Sequence, residues 1–295
     1  MNRIMKLLIL PAFTFITCSA VASEDKIESP RLAPYEPSYF VFQQASGDET
    51  AIRAHYSFKY CLAKYNHVAD ENGSNSCRST DHKANELYLS YTGEFDFYMR
   101  TRPSDPVINR LSNPALHYQW KLDSIEWLDF ALEHRSNGQA TEVSTPLQAA
   151  KAQLAYDSND HVFFDSISRG SNYFSVESKI KSLNEKTGFY AKLKHYLSRD
   201  SDISWGPLAG TNTTISDYDR LRMLVRNDIG DYGEFSIEWT VGDRGLSTDS
   251  WNIDYLYSKD LPLTLYFRYH NGPMHTLSNY TDNQNYLGAG LKLTP

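Results

Sequence analysis

The feature that most constrains this chain is a two-residue alternation of apolar and polar side chains that recurs along most of its length. Ile52, Ala54, Tyr56, Phe58 and Tyr60 share one parity, while Arg53, His55, Ser57 and Lys59 share the other. Phe235, Ile237, Trp239 and Val241 oppose Ser236, Glu238 and Thr240, and Trp251, Ile253, Tyr255 and Tyr257 repeat the pattern. Successive strand residues point to opposite faces, so each segment makes a strand with one greasy and one polar side. Split at turn residues, such segments fall near 39–44, 51–62, 86–99, 115–123, 125–137, 171–180, 187–199, 216–228, 232–242, 249–259, 262–271 and 284–293.

Twelve strands of this kind predict an all-β chain, a twelve-stranded antiparallel transmembrane β-barrel. After the first segment no apolar run reaches the roughly 18 residues of a membrane helix. A mean hydropathy of −0.53 is compatible with barrel strands, which show lipid on one side only. The soluble alternative, a sandwich or ligand-binding barrel, would crowd Glu177, Arg220, Arg222, Glu238, Asp254 and Arg268 into a dry core. An even strand number brings both chain ends to one side, which puts residues 100–114 and 138–170 on the outer rim. Within the second of these, Leu147 to Ala155 predicts a short amphipathic helix.

Residues 1–22 resemble a secretory leader, with Arg3 and Lys6 ahead of the apolar stretch Leu7 to Ile16 and the small residues Ala20, Val21 and Ala22 before Ser23. Residues 23–38 then form an N-terminal periplasmic segment, and 39–295 the barrel. The formal charge of −7 becomes −9 once Arg3 and Lys6 leave, which excludes nucleic acid as a partner. Cys61 and Cys77 remain, and in an oxidising compartment they form a reasonable disulfide contributing about 3 kcal/mol. Two unrelated thiols are the alternative.

The stretch with chemical content is Leu132-Glu133-His134-Arg135-Ser136-Asn137-Gly138, at the end of the fifth predicted strand. His134 and Ser136 share parity with Leu128, Phe130 and Leu132, so both face lipid near the rim. Polar side chains are expensive there and are functional candidates. An imidazole beside a hydroxyl can take its proton, so that the oxygen attacks an ester carbonyl. Across the following loop, Ser168-Arg169-Gly170-Ser171-Asn172 opens a strand whose Asn172, Phe174 and Val176 share one face. An amide at 172 suits the third position of a triad, holding the imidazole tautomer.

These two motifs resemble those of the outer-membrane phospholipase A family of Gram-negative bacteria. The first is similar to NHxSNG, with Glu133 in place of the Asn, and the second to SRxxN. Weaker similarities fall at Tyr91-Thr92, Ser104-Asp105-Pro106, Trp239 and Leu287-Gly288-Ala289-Gly290. The resemblance implies a Ser/His/Asn triad of Ser136, His134 and Asn172, a Gly138 amide that stabilises the oxyanion, and phospholipid or lysophospholipid as substrate. It implies Ca²⁺ held by the Gln139 carbonyl, the Ser168 hydroxyl and a Ser104 carbonyl from the partner, in a homodimer that is the active form. It implies an outer-membrane barrel whose site faces the outer leaflet. Gly93 stands where the family's dimer-supporting Gln falls. An inactive barrel of the same ancestry, acting as a pore or surface-binding protein, is the second reading.

Overall fold

The structure, a computed structural model, describes residues 31–45, 50–65, 77, 84–99, 108–123, 125–143, 145–158, 160, 163, 165–180, 186–197, 213–257, 263–278 and 280–293. The leader and Ser104 lie outside these residues. Twelve strands form the barrel wall: β2 (Ser38–Ala45), β3 (Thr50–Tyr65), β4 (Asn85–Tyr98), β5 (Ile108–Lys121), β6 (Trp127–Ser136), β7 (Gly170–Ile180), β8 (Thr187–Tyr196), β9 (Leu221–Asp228), β10 (Glu234–Gly242), β11 (Gly245–Tyr257), β12 (Leu263–Gly272) and β13 (Gln284–Leu293). Each pairs antiparallel with its neighbours in sequence, and β13 closes on β2. A short β1 (Leu32–Pro34) pairs with β3 just past the end of β2, so β1 and β2 act as one interrupted stave.

The alternation sorts side chains as the sequence requires. Phe40, Phe42, Phe58, Leu116, Leu132, Phe174, Leu193, Phe267 and Leu291 stand exposed on the outer surface. Arg53, Asp96, His117, Asp129, Glu133 and Lys192 are buried within the lumen. Charge survives there because it is paired and hydrogen-bonded. Arg53 makes two 2.8 Å bonds to Asp96, His117 lies 2.7 Å from Asp129, and Arg222 bridges Glu177 and Glu238. At the mouth nearest Ser136, Ile215, Tyr218, Leu277 and Tyr280 from two connections pack on Tyr173 and Tyr196 of the wall. These side chains cover that mouth of the lumen.

Several strand boundaries differ from expectation. β5 begins at Ile108 rather than 115: Pro114 pairs with Tyr91 on β4, and the missing amide is tolerated where the β5–β6 register passes from Ser112 to Ala115. β3 continues to Tyr65 rather than 62, past Cys61, which is bonded to Cys77. β9 starts at Leu221 because Ile215–Asp217 forms a 3-10 turn, with the Thr214 amide donating to Asp217. β11 starts at Gly245, since Asp243 and Arg244 make a two-residue hairpin turn and Gly245 takes a φ of +66°. The helix expected over 147–155 is present as α1 (Pro146–Asp157).

Candidate active site

Strands β6 and β7 pair in a register that sets His134 opposite Asn172 and Ser136 opposite Gly170. All four belong to the outward parity, in line with exposed Leu132 and Phe174. His134 Nδ1 lies 2.9 Å from Asn172 Oδ1. Because an amide oxygen only accepts, this contact fixes the proton on Nδ1 and leaves Nε2 as the basic nitrogen. Ser136 lies two residues further along the same face. Among the described residues no hydrogen bond joins it to His134, and such bonds often close only when substrate is bound.

The surroundings of Ser136 are small. Its cross-strand neighbours are Ser112 and Gly170, and a β-carbon on Gly170 would sit 3.5 Å from the Ser136 β-carbon and 3.9 Å from His134 Cε1. The glycine therefore leaves room beside the hydroxyl and the imidazole. Further round the wall, Gly93 pairs with Ser112 and Tyr56, and the Tyr56 ring lies over it, filling the place of its missing side chain. Tyr56, Phe58 and Tyr91 make an aromatic surface beside the site, and Ser112 donates to the Tyr91 hydroxyl at 3.1 Å. Gly170→Leu would place a bulky side chain against Ser136 and His134. The unfolding midpoint in detergent is expected to stay unchanged, since that side chain projects outward.

Asn137, which sequence reasoning quoted in the motif without giving it a role, is fully buried and ties the long connection shut. Its side chain donates to the Ile167 carbonyl at 2.8 Å and accepts from the Arg169 amide at 2.9 Å, while its own amide donates to the Arg169 carbonyl. One step on, the Ser168 amide donates to the Thr141 carbonyl, and Thr141 bridges Ile167. The signal available in sequence was an amide-bearing residue at a strand end ahead of a glycine, a common loop-closing pattern. Gly138 follows with a φ of +62°, a conformation that favours glycine and turns its amide away from the strand direction.

Gln139 and Ser168 occupy facing sides of this closed neck, both partly exposed. Their carbonyl and hydroxyl are neutral oxygen donors that suit a hard cation completed by water. Among the described residues no group of three or more His, Cys, Asp or Glu could hold a metal. Next to Ser168, burial draws the Arg169 guanidinium down to about 10, against the opposing effect of Tyr280. The Tyr280 ring lies 4.9 Å from the guanidinium carbon.

On the inner side of the same strands, Glu133 and Tyr173 stand next in sequence to His134 and Asn172. Glu133 accepts from Tyr173 at 2.8 Å, Ser175 at 2.6 Å and Asn113 at 3.2 Å, and pairs with Lys192 at 2.6 Å. The acid at this position has a full set of lumenal partners. These bonds brace β5 to β8 directly behind the outward-facing pair.

No family model matches the chain, and no curated protein matches it by sequence. By fold it is similar to the outer membrane phospholipase A from Escherichia coli, with a TM-score of 0.63 and 15% identity over 92% of this chain and 95% of that one. It is also similar to the Salmonella typhi outer membrane phospholipase, a dimer with bound calcium, with a TM-score of 0.66 and 15% identity over 89% and 92% of the two chains. At such identity the likeness is one of fold, a twelve-stranded membrane barrel.

Proposed function

We propose that the protein is a calcium-dependent outer-membrane phospholipase that hydrolyses acyl esters of glycerophospholipids and lysophospholipids. The observation that carries this reading is the 2.9 Å contact between His134 and Asn172 beside Ser136, on the outward face that also carries exposed Leu132 and Phe174. A hydrolase acting on bilayer lipids needs its nucleophile on the outside of the barrel, whereas a pore needs an open lumen. The covered mouth and the buried ion pairs of the inner wall weigh against the pore, and the exposed apolar belt against a soluble barrel.

In this reading Ser136 Oγ attacks the ester carbonyl carbon while His134 Nε2 takes its proton, with Asn172 holding the ring. The Gly138 amide donates to the developing oxyanion. His134 then returns the proton to the departing glycerol oxygen, leaving an acyl-Ser136 ester. Water, deprotonated by His134, releases the fatty acid and restores the serine. Calcium would be held by the Gln139 carbonyl, the Ser168 hydroxyl and a Ser104 carbonyl of a second copy, and when bound would supply positive charge near the oxyanion. A homodimer follows from that third ligand, and the outer leaflet is the side on which the site would work.

The test is fatty-acid release from phospholipid in mixed micelles by the refolded barrel, with calcium and then with chelator. Release that stops with chelator and returns with calcium is expected; release indifferent to both would remove the metal from the reading. Asn172→Ala is expected to lower kcat by about 10-fold, less than the roughly 10²- to 10⁴-fold that a general base supplies. Water can replace the amide oxygen in part, and unchanged kinetics would take Asn172 out of the triad.

A further inference from the structure

Along β11, Asp249 shares the outward parity of Trp251, Ile253, Tyr255 and Tyr257, and no other Asp or Glu among the described strand residues stands on that side. A carboxylate on a bilayer-facing surface is disfavoured and marks a functional position. Its Oδ2 accepts from Trp239 Nε1 and from Trp251 Nε1, each at 3.0 Å. The two indoles are register partners across β10 and β11, with ring centroids 5.9 Å apart. An indole has a single N–H, so both rings are oriented by the same oxygen. What Asp249 lacks among the described residues is a cation: the outward positions of β10, β11 and β12 hold no Lys or Arg. The neighbouring acids at this rim differ, since Asp243 pairs with Arg220 at 2.7 Å and Asp217 with Arg244 at 3.5 Å.

We propose that Asp249, Trp239 and Trp251 bind the ammonium headgroup of a zwitterionic phospholipid at the membrane–water boundary. Strand direction and neighbours give the depth. β10 runs parallel to β6, so Trp239 lies toward the end of the barrel that carries Ser136, close to the hairpin at Asp243 and Arg244, with exposed Phe235 of the apolar belt further down its strand. Tryptophan is concentrated at that boundary in membrane proteins. The donor set gives the ligand. A carboxylate supplies the opposite charge and indole faces attract an organic cation, whereas calcium takes six to eight oxygens, far more than one carboxylate offers. Next on the same surface, Asn271 is the register partner of Trp251 and donates to Asn285. Both amides are exposed, and their N–H groups suit the phosphate to which the ammonium arm is joined. Strands β8 and β9 separate this site from His134 and Asn172. The inference therefore stands apart from the catalytic reading, for an inactive barrel would hold the same headgroup.

The experiment uses the refolded full chain in detergent micelles and native mass spectrometry to count retained lipid. The probes are phosphatidylcholine, phosphatidylethanolamine and phosphatidylglycerol with identical ether-linked chains, which an esterase leaves intact. The choline and ethanolamine lipids are expected to be retained about 10-fold over the glycerol lipid, the size of effect a cation–aromatic contact supplies. That preference should vanish in Asp249→Asn and in Trp251→Leu, and persist in Phe235→Leu, an outward change on the same strand as Trp239. Heat-shifted migration on gels identifies the folded barrel in each variant, and Trp251→Leu serves if the Asp249 variant does not fold. Equal retention of the three lipids by the unsubstituted chain would overturn the proposal, as would a preference that survives in folded Trp251→Leu. Displacement of bound lipid by calcium and not by tetramethylammonium would overturn it too, since the carboxylate would then be a metal ligand.

Discussion

Ser136→Ala is expected to abolish fatty-acid release, lowering kcat by about 10⁴-fold or more, as loss of the nucleophile does where a serine and histidine act as one unit. The barrel should be untouched. Ser136 ends its strand on the outer surface, its neighbours across the sheet are Ser112 and Gly170, and its hydroxyl bonds no described residue. Removing one partly exposed oxygen there should change stability by less than about 0.5 kcal/mol. The measurement pairs release from mixed micelles, in calcium, with the guanidinium unfolding midpoint of the same preparation. Retained activity in the folded variant would mean that another residue is the nucleophile, and the outward Ser/His/Asn arrangement would lose its role.

Glu133→Ala should have the largest effect on stability. The carboxylate is buried in the lumen, receives hydrogen bonds from Tyr173, Ser175 and Asn113, and pairs with Lys192 at 2.6 Å. Alanine would leave the buried Lys192 ammonium with only the longer 3.8 Å contact to Glu177. Breaking one partner of a buried pair costs about 3 to 5 kcal/mol, because the remaining charge stays desolvated. Glu126→Ala provides the comparison. Its pair with Lys179 has the same 2.7 Å separation as many lumenal pairs, yet both groups reach solvent at the far end of the barrel. Exposed pairs contribute about 1 kcal/mol or less. Denaturant unfolding followed by tryptophan fluorescence reads both variants, and equal costs would show that the lumenal bonds do not brace the wall. Because Glu133 and Tyr173 sit directly behind His134 and Asn172, the Glu133→Ala protein should also lose activity at temperatures well below its own unfolding.

Much of this was legible in sequence for a local reason. Alternation in Thr50–Tyr65 or Glu234–Gly242 assigns each side chain to lipid or lumen without reference to any other strand. The outward placement of His134, Ser136 and Asn172 follows from the same rule. Boundaries differ where a proline is tolerated in the sheet, as at Pro114, or where alternation continues into a turn, as before Leu221. The role of Asn137 was missed because its partners, Ile167 and Arg169, lie about 30 residues away and meet it only when the connection closes.

By itself, then, the sequence determined the strand count, the lipid and lumen faces, the pairing of Cys61 with Cys77 as a possibility, and three side chains of complementary chemistry on one surface. Tertiary structure decided what each of those groups meets. Register between β6 and β7 sets the imidazole against Asn172, pairing of β7 with β8 brings Lys192 to Glu133, and two mouth connections pack on Tyr173 and Tyr196. It also decided that α1 turns its alanines inward and its leucines out. The division has a physical cause: a side chain's face is fixed by its own backbone and its immediate neighbours, whereas its partner depends on strands and loops distant in the chain, whose positions exist only once the sheet has closed.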